Sequence, residues 1–135
     1  MTGPLIFIAT NRLKGGALNA ERRRVPELVR FVEREEPQVI GFNEYVNNGG
    51  DEVTVVQIHP DAASFEKHMD VIADHARRAY EETLDRTVRI QVFGDVPELI
   101  LASLREQASA AGVEIIVNAE HLGGFLRTES GAGCV

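Results

Sequence analysis

"QVIGFNEYVNNGGDEVTVVQIHP", Gln38 to Pro60, reads as two strands folded about a turn. Gly49, Gly50 and Asp51 supply the turn, because glycine and aspartate take the backbone conformations that reverse a chain. On the first arm Ile40, Phe42 and Val46 share one face. On the second arm Val53, Val55 and Gln57 do the same, which is the period-two pattern of a strand. The arms are therefore a hairpin, Gln38–Asn48 against Glu52–Pro60.

The hairpin is flanked on each side by one helix and one strand. Upstream, "PLIFIATN", Pro4 to Asn11, is short, β-branched and apolar on both faces, so it reads as a central strand. "LKGG" breaks it. Asn19 is set to cap a helix that runs to Glu35, with Val25, Leu28, Val29 and Val32 as its apolar stripe and Phe31 beside them. Pro26 argues for a later start or a kink, and Pro37 ends the helix. Downstream, Asp61 to about Leu84 is the longest helix, capped by Asp61 or Ser64. Phe65, Met69, Ile72, Ala76 and Ala79 form its buried stripe, with Tyr80 at the margin as a core residue. Thr87–Gly94 is a fourth strand.

That order, β-α-β-β-α-β, is the ferredoxin-like α+β motif. An α-β extension follows. Asp95 with Glu98 forms a capping box for a helix whose apolar side is Ile100, Leu101, Leu104 and Ala108. Gly112–Glu120 is a fifth strand. "HLGGFLR", His121 to Arg127, reads as a turn and a short added strand, with Gly123 and Gly124 bending the chain so that Phe125 and Leu126 pack down. Residues 1–127 make one domain, and 128–135 a frayed tail.

The composition narrows the function. The chain has 135 residues, enough for one real core. Its net charge is −7, and the only basic run is Arg22-Arg23-Arg24 on a helix, so neither nucleic acid nor an anionic membrane is an expected partner. "PLIFIA" lacks the basic flank and the length of a signal or a membrane span, and the expected location is the cytoplasm. The single cysteine, Cys134, has no intramolecular partner and lies beside the C-terminus. No phosphate loop, dinucleotide fingerprint, zinc-protease helix or nucleophile elbow occurs.

The polar residues that remain carry the chemistry. Asn11 ends strand one in phase with Leu5, Phe7 and Ala9, either as a turn former or as an amide reaching into a pocket. His59 stands at the end of strand three, where it is a general acid or base, or a partner for a loop carbonyl. His68 and His75 are two turns apart on one side of helix two, too far apart for joint metal ligation. Tyr45, in phase with Asn43, either orders a ligand or faces a dimer seam, and Phe42 is a barrel-lining residue. Glu44 is in phase with Phe42. If that face is buried it needs a partner such as Arg12 or Arg127, and exposure at the sheet edge is the simpler account.

Three stretches carry a family resemblance: "FIATNRLKGG", "EEPQVIGFNEYVNN" and "VTVVQIHPDAASFEKHM" with its F-x-x-H step, together covering roughly Leu5 to Val92. The sequence resembles the dimeric α+β barrel superfamily, and within it the antibiotic-biosynthesis-monooxygenase type of protein. The resemblance implies a homodimer in which two open sheet faces meet across an apolar barrel. It implies a cofactor-independent monooxygenase acting on a small aromatic or quinol-like substrate. Asn11, His59 and His68 would be catalytic, and Phe42, Tyr45 and His75 would line the ligand pocket. "TNRL" is similar to the place where haem-degrading relatives put an Asn facing the ligand, His68 matches the family's helical histidine, and His75 falls near their iron ligand. Those relatives also carry a tryptophan that this chain lacks entirely, so no cofactor is expected. The competing expectations are a non-catalytic dimer, with or without a small apolar ligand, and a haem-binding, haem-degrading protein.

Overall fold

The computed structural model describes residues 3–127. Its elements are β1 (Leu5–Leu13), α1 (Leu18–Glu35), β2 (Gly41–Val46), β3 (Glu52–His59), α2 (Ala62–Glu82), β4 (Leu84–Phe93), α3 (Glu98–Ala110) and β5 (Ile115–Asn118). They build one sheet in the order β2-β3-β1-β4-β5, with β5 parallel to β4 and every other pair antiparallel. This is the expected ferredoxin-like α+β order, with the extension adding a parallel strand to the β4 edge.

β1 sits at the centre because both of its faces are apolar. One face, Leu5, Phe7, Ala9, Asn11 and Leu13, is buried under the helices. Across it on β3 stand His59, Gln57, Val55 and Val53, and on β4 Val92, Ile90, Thr87 and Leu84. Phe65 of α2 packs on Phe7 with ring centroids 5.0 Å apart, and Ile100, Leu104 and Ala108 of α3 complete this core. A smaller cluster of Leu13, Val53, Ala79 and Leu84 closes the other end.

Local details depart from expectation for identifiable reasons. α1 begins at Leu18, and Asn19 lies inside it accepting from the Arg22 guanidinium at 2.9 Å, so Asn19 is not the cap. α1 also continues through Pro26, which is exposed; the anchors Leu28 and Val32 outweigh the one missing hydrogen bond. At α2 the cap is Asp61, whose carboxylate accepts from the Ser64 N–H at 2.9 Å. The Asp95–Glu98 box does not form: Pro97 precedes the first turn of α3 and no side chain caps it. β4 starts at Leu84 rather than Thr87, since it pairs with the last residues of β1. Residues 121–127 form no strand, and Phe125 is 77% exposed with the Arg127 guanidinium 4.8 Å above its ring rather than packed down. The tail and Cys134 lie outside the described residues. Gly94, at φ +116°, is required where β4 ends, because a Cβ there would stand 2.6 Å from the Pro4 carbonyl oxygen.

Candidate active site

The helices do not fill the space above the sheet. A pocket of about 310 Å³ lies between the sheet and α1 and α2, walled by Phe7, Ala9, Leu28, Phe42, Val55, Phe65, Met69 and Ile72 among others. Asn11, Arg24, Glu44, His68, His75, Tyr80 and Thr87 put polar groups into this apolar wall. Few polar groups in an apolar recess is the usual make-up of a small-molecule site.

Asn11 faces the pocket by alternation with Leu5, Phe7 and Ala9, and a register shift on β4 brings Thr87 opposite it. β1 and β4 pair Thr10 with Arg89 but Asn11 with Thr87, so Val88 is bulged out beside it. Such a bulge re-aims the neighbouring side chains. Asn11 Oδ1 accepts from the Tyr80 hydroxyl at 2.6 Å and from the Thr87 hydroxyl at 3.0 Å, and those two hydroxyls are 2.9 Å apart. With its oxygen doubly bonded, Asn11 has Nδ2 left as a donor. Burial raises the Tyr80 phenol above its ordinary range, so its hydroxyl keeps its proton.

His68 has a different arrangement. Its ring is fully buried, and Nδ1 lies 2.8 Å from Oε2 of Glu36, itself 1% exposed. Gln38 Nε2 donates to the other Glu36 oxygen at 3.5 Å. Burial raises the Glu36 carboxyl and lowers the His68 imidazole to about 4, so the imidazole is neutral near pH 7. A carboxylate takes the Nδ1 proton as its hydrogen-bond donor, which leaves Nε2 as a bare lone pair. That nitrogen is buried and has no hydrogen-bond partner.

His59 contrasts with it. Its Nδ1 is 2.7 Å from the Ser64 hydroxyl and its Nε2 3.0 Å from Gln57 Oε1, so both nitrogens are bonded. It is 0% exposed, lies outside the pocket wall, and is lowered to about 4, mainly by burial and then by His68 nearby. It ties β3 to the start of α2. His75 stands at the pocket's edge, its ring 4.4 Å from Phe31 and its Nδ1 3.4 Å from an Arg78 nitrogen. Phe42 lines the pocket, and its ring is 5.4 Å from that of His68. Tyr45 is on the opposite face of the sheet and 61% exposed, because residues 43 and 45 alternate away from 42 and 44. Among the described residues, no group of three or more His, Cys, Asp or Glu is placed to hold a metal ion, and no helix is long and apolar enough to cross a membrane.

No family model matches the sequence, and no curated protein is similar to it by sequence. Solved structures are similar in shape. MupZ from Pseudomonas fluorescens superposes with a TM-score of 0.69 at 16% identity, over 93% of this chain and 91% of that one. An antibiotic biosynthesis monooxygenase superposes at 0.57 with 19% identity, over 69% of this chain and 99% of that one. The chain has the fold of the antibiotic biosynthesis monooxygenases. Rv0793 from Mycobacterium tuberculosis shares it too, at a TM-score of 0.59 and 18% identity over 71% of this chain and 98% of that one. The match to MupZ spans 93% of the chain, against 69% and 71% for the other two.

Within this fold the sequence reading missed most of the supporting residues. Glu36 follows a charged helix end and reads as surface, yet it is buried against His68. Tyr80 was legible as core and Thr87 as the start of a strand, but not as the pair that holds Asn11. Glu44 has its side chain only 10% exposed and its Oε2 fully covered, so edge exposure is not its explanation. Its neighbours are Glu21 and Arg24 of α1, not Arg12 or Arg127; Arg12 pairs instead with Asp51 and Glu52.

Proposed function

We propose that the protein is a cofactor-independent monooxygenase that oxidises a small aromatic, phenolic or quinol-like substrate in the pocket between the sheet and α1 and α2. The observation that carries the reading is the unpartnered, buried Nε2 of His68, backed on its other nitrogen by Glu36. His68 takes a proton from the substrate, and Glu36 stabilises the imidazolium that forms. In the low dielectric of the pocket the resulting ion pair offsets the burial that keeps the empty-site imidazole neutral. Asn11 Nδ2 donates to the developing oxyanion, with its orientation fixed by Tyr80 and Thr87. The substrate anion reacts with dioxygen. A methylene carbon becomes a carbonyl, one oxygen atom is retained and the other leaves as water, so the substrate supplies every electron. His59, bonded at both nitrogens, serves to hold α2 in place, and Tyr45 belongs to the outer sheet face.

We propose further that the working unit is a homodimer formed through that outer face. The reading is supported by Ile6, Ile8, Val56 and Ile58, which project there from the two central strands, and by Tyr45 and Ile116 at its margins, 61% and 44% exposed. A sheet with helices on one side only needs cover on the other.

The test is oxygen uptake with a panel of anthrones, naphthols and quinols, comparing the native protein with His68→Gln. Uptake that falls by about a hundredfold or more in the variant is expected for loss of a general base. Ligand binding with no oxygen uptake by the native protein would overturn the oxygenase reading and leave a binding protein.

A further inference from the structure

A second unpartnered polar atom lies in the pocket wall, and the oxygenase reading makes no use of it. Glu44 projects from β2 with its side chain 10% exposed, and its buried Oε2 has no hydrogen-bond partner. The groups around it come from α1. Glu21 is 3% exposed and grips Arg24 at two points, 2.9 and 2.6 Å, while Arg24 also stands 3.9 Å from Glu44. Two ionised carboxylates beside one guanidinium would leave a net buried charge. Burial together with the Glu21 carboxylate pushes Glu44 up to about 9, whereas Glu21 is held below its ordinary range by its bonds to Glu44 and Arg24. One proton is therefore shared between the two carboxyls, donated from Glu44 to Glu21. With that proton carried toward Glu21 on the other oxygen, Oε2 of Glu44 presents lone pairs only, on a residue that lines the apolar pocket.

Stability does not explain an acid here. A buried acceptor without a donor costs about 1–3 kcal/mol, and an apolar side chain would fill the same space without that penalty. A ligand does explain it. We propose that Oε2 of Glu44 is a second recognition point, which accepts a hydrogen bond from a hydroxyl group of an uncharged aromatic ligand. The ligand is uncharged because the Glu21–Arg24–Glu44 group is neutral as a whole and Arg24 is already engaged by Glu21, so an anion would enter the pocket without a free counter-charge. This rests on the pocket being the ligand site, and it makes Glu44 a specificity-determining residue beside His68.

The experiment is a binding series with dihydroxynaphthalene isomers, their monomethyl and dimethyl ethers, and naphthoic acid, followed by ligand fluorescence. Both pocket acceptors, His68 Nε2 and Glu44 Oε2, are then read separately. With the best diol, each methylation is expected to weaken binding to the native protein about tenfold. Glu44→Leu should remove one of the two steps and His68→Leu the other. Glu44→Gln should keep both, because its amide N–H₂ donates to Glu21 and its carbonyl stays in the pocket. A native protein that senses only one hydroxyl, through a step abolished by His68→Leu, overturns the proposal and leaves the base reading standing. A single step abolished by Glu44→Leu alone supports the proposal and removes the base reading. Equal binding of diol and dimethyl ether, or tighter binding of naphthoic acid, overturns it, and both results need only the native protein.

Discussion

Replacing Glu44 by Gln is expected to stabilise the protein, by an amount that grows with pH. The carboxyl has an ordinary value of 4.5 and stands at about 9 in the fold, raised first by burial and then by Glu21. Between those values the native state holds a proton that the unfolded chain releases. Stability from this group is thus intact below about pH 4.5 and is lost as pH rises toward 9, at about 1.4 kcal/mol per unit. At pH 7 the loss is at most about 3.5 kcal/mol, since the gap to 4.5 is 2.5 units, and the lowering of Glu21 returns part of it. Gln keeps the hydrogen bond to Glu21 and has no proton to lose. The other ionisable groups on this pocket, Arg24 from α1 and His68, His75 and Tyr80 from α2, are unchanged, so their contributions subtract out of the comparison. Urea unfolding of both proteins at about pH 5, 7 and 8.5, extrapolated linearly to water, gives the two stability curves. They should nearly meet at the acid end and diverge above it. Parallel curves would refute the shared-proton pair and with it the free acceptor on Glu44.

Acid should act on the histidines in the opposite sense. His59 and His68 are both lowered from 6.5 to about 4 by burial, so their contribution is full above 6.5 and is lost as pH falls toward 4; the native protein should soften across that window, followed by circular dichroism. Pro26→Ala should raise stability by about 1–3 kcal/mol in urea melts, because Pro26 is exposed inside α1 and lacks the N–H that the helix would otherwise bond. Gly94→Ala should lower the melting temperature by several degrees, since the new Cβ meets the Pro4 carbonyl oxygen and the backbone is left-handed there. Ile8→Lys, on the outer sheet face and away from the pocket, should turn a dimer into a monomer by light scattering; a native protein that is already monomeric would sink the dimer proposal.

How far the site could be read from the sequence differs residue by residue. Asn11 could be phased with Leu5, Phe7 and Ala9 because strand alternation is strictly local. Phe42, expected to line the barrel on the open face, turns out to face the helices, since local alternation does not say which face they cover. Tyr45, expected beside Phe42 in the ligand pocket, is instead out of phase with it and lies exposed on the far face. His68 was visible as a helical histidine beside the Phe65 stripe. That one of its nitrogens is bonded and the other free depends on Glu36, 32 residues earlier in the chain. Glu36 and Glu21 are charged residues in or next to a helix rich in charge, and nothing local distinguishes them from Arg34 or Glu35, which pair in solvent. The caps show the same limit. Asp61 was readable, but Asn19 and Asp95 have cap chemistry without cap geometry, because the packing of Ala17 and the backbone set by Pro97 fixed where those helices start.

The sequence by itself determined the order β-α-β-β-α-β and the α-β extension, because hydrophobic period, glycine turns and proline stops act over a few residues. It also determined which strand faces are apolar, and hence that β1 is central. Tertiary structure alone decided the chemistry. It buried Glu36 against His68, brought Glu21 and Glu44 together beside Arg24, bonded His59 at both ends and, through a bulge at Val88, put Thr87 opposite Asn11. The reason is that a side chain's protonation and free valence depend on its desolvation and on the groups opposite it. Those groups arrive from other elements of the fold, at distances along the chain that no local pattern records.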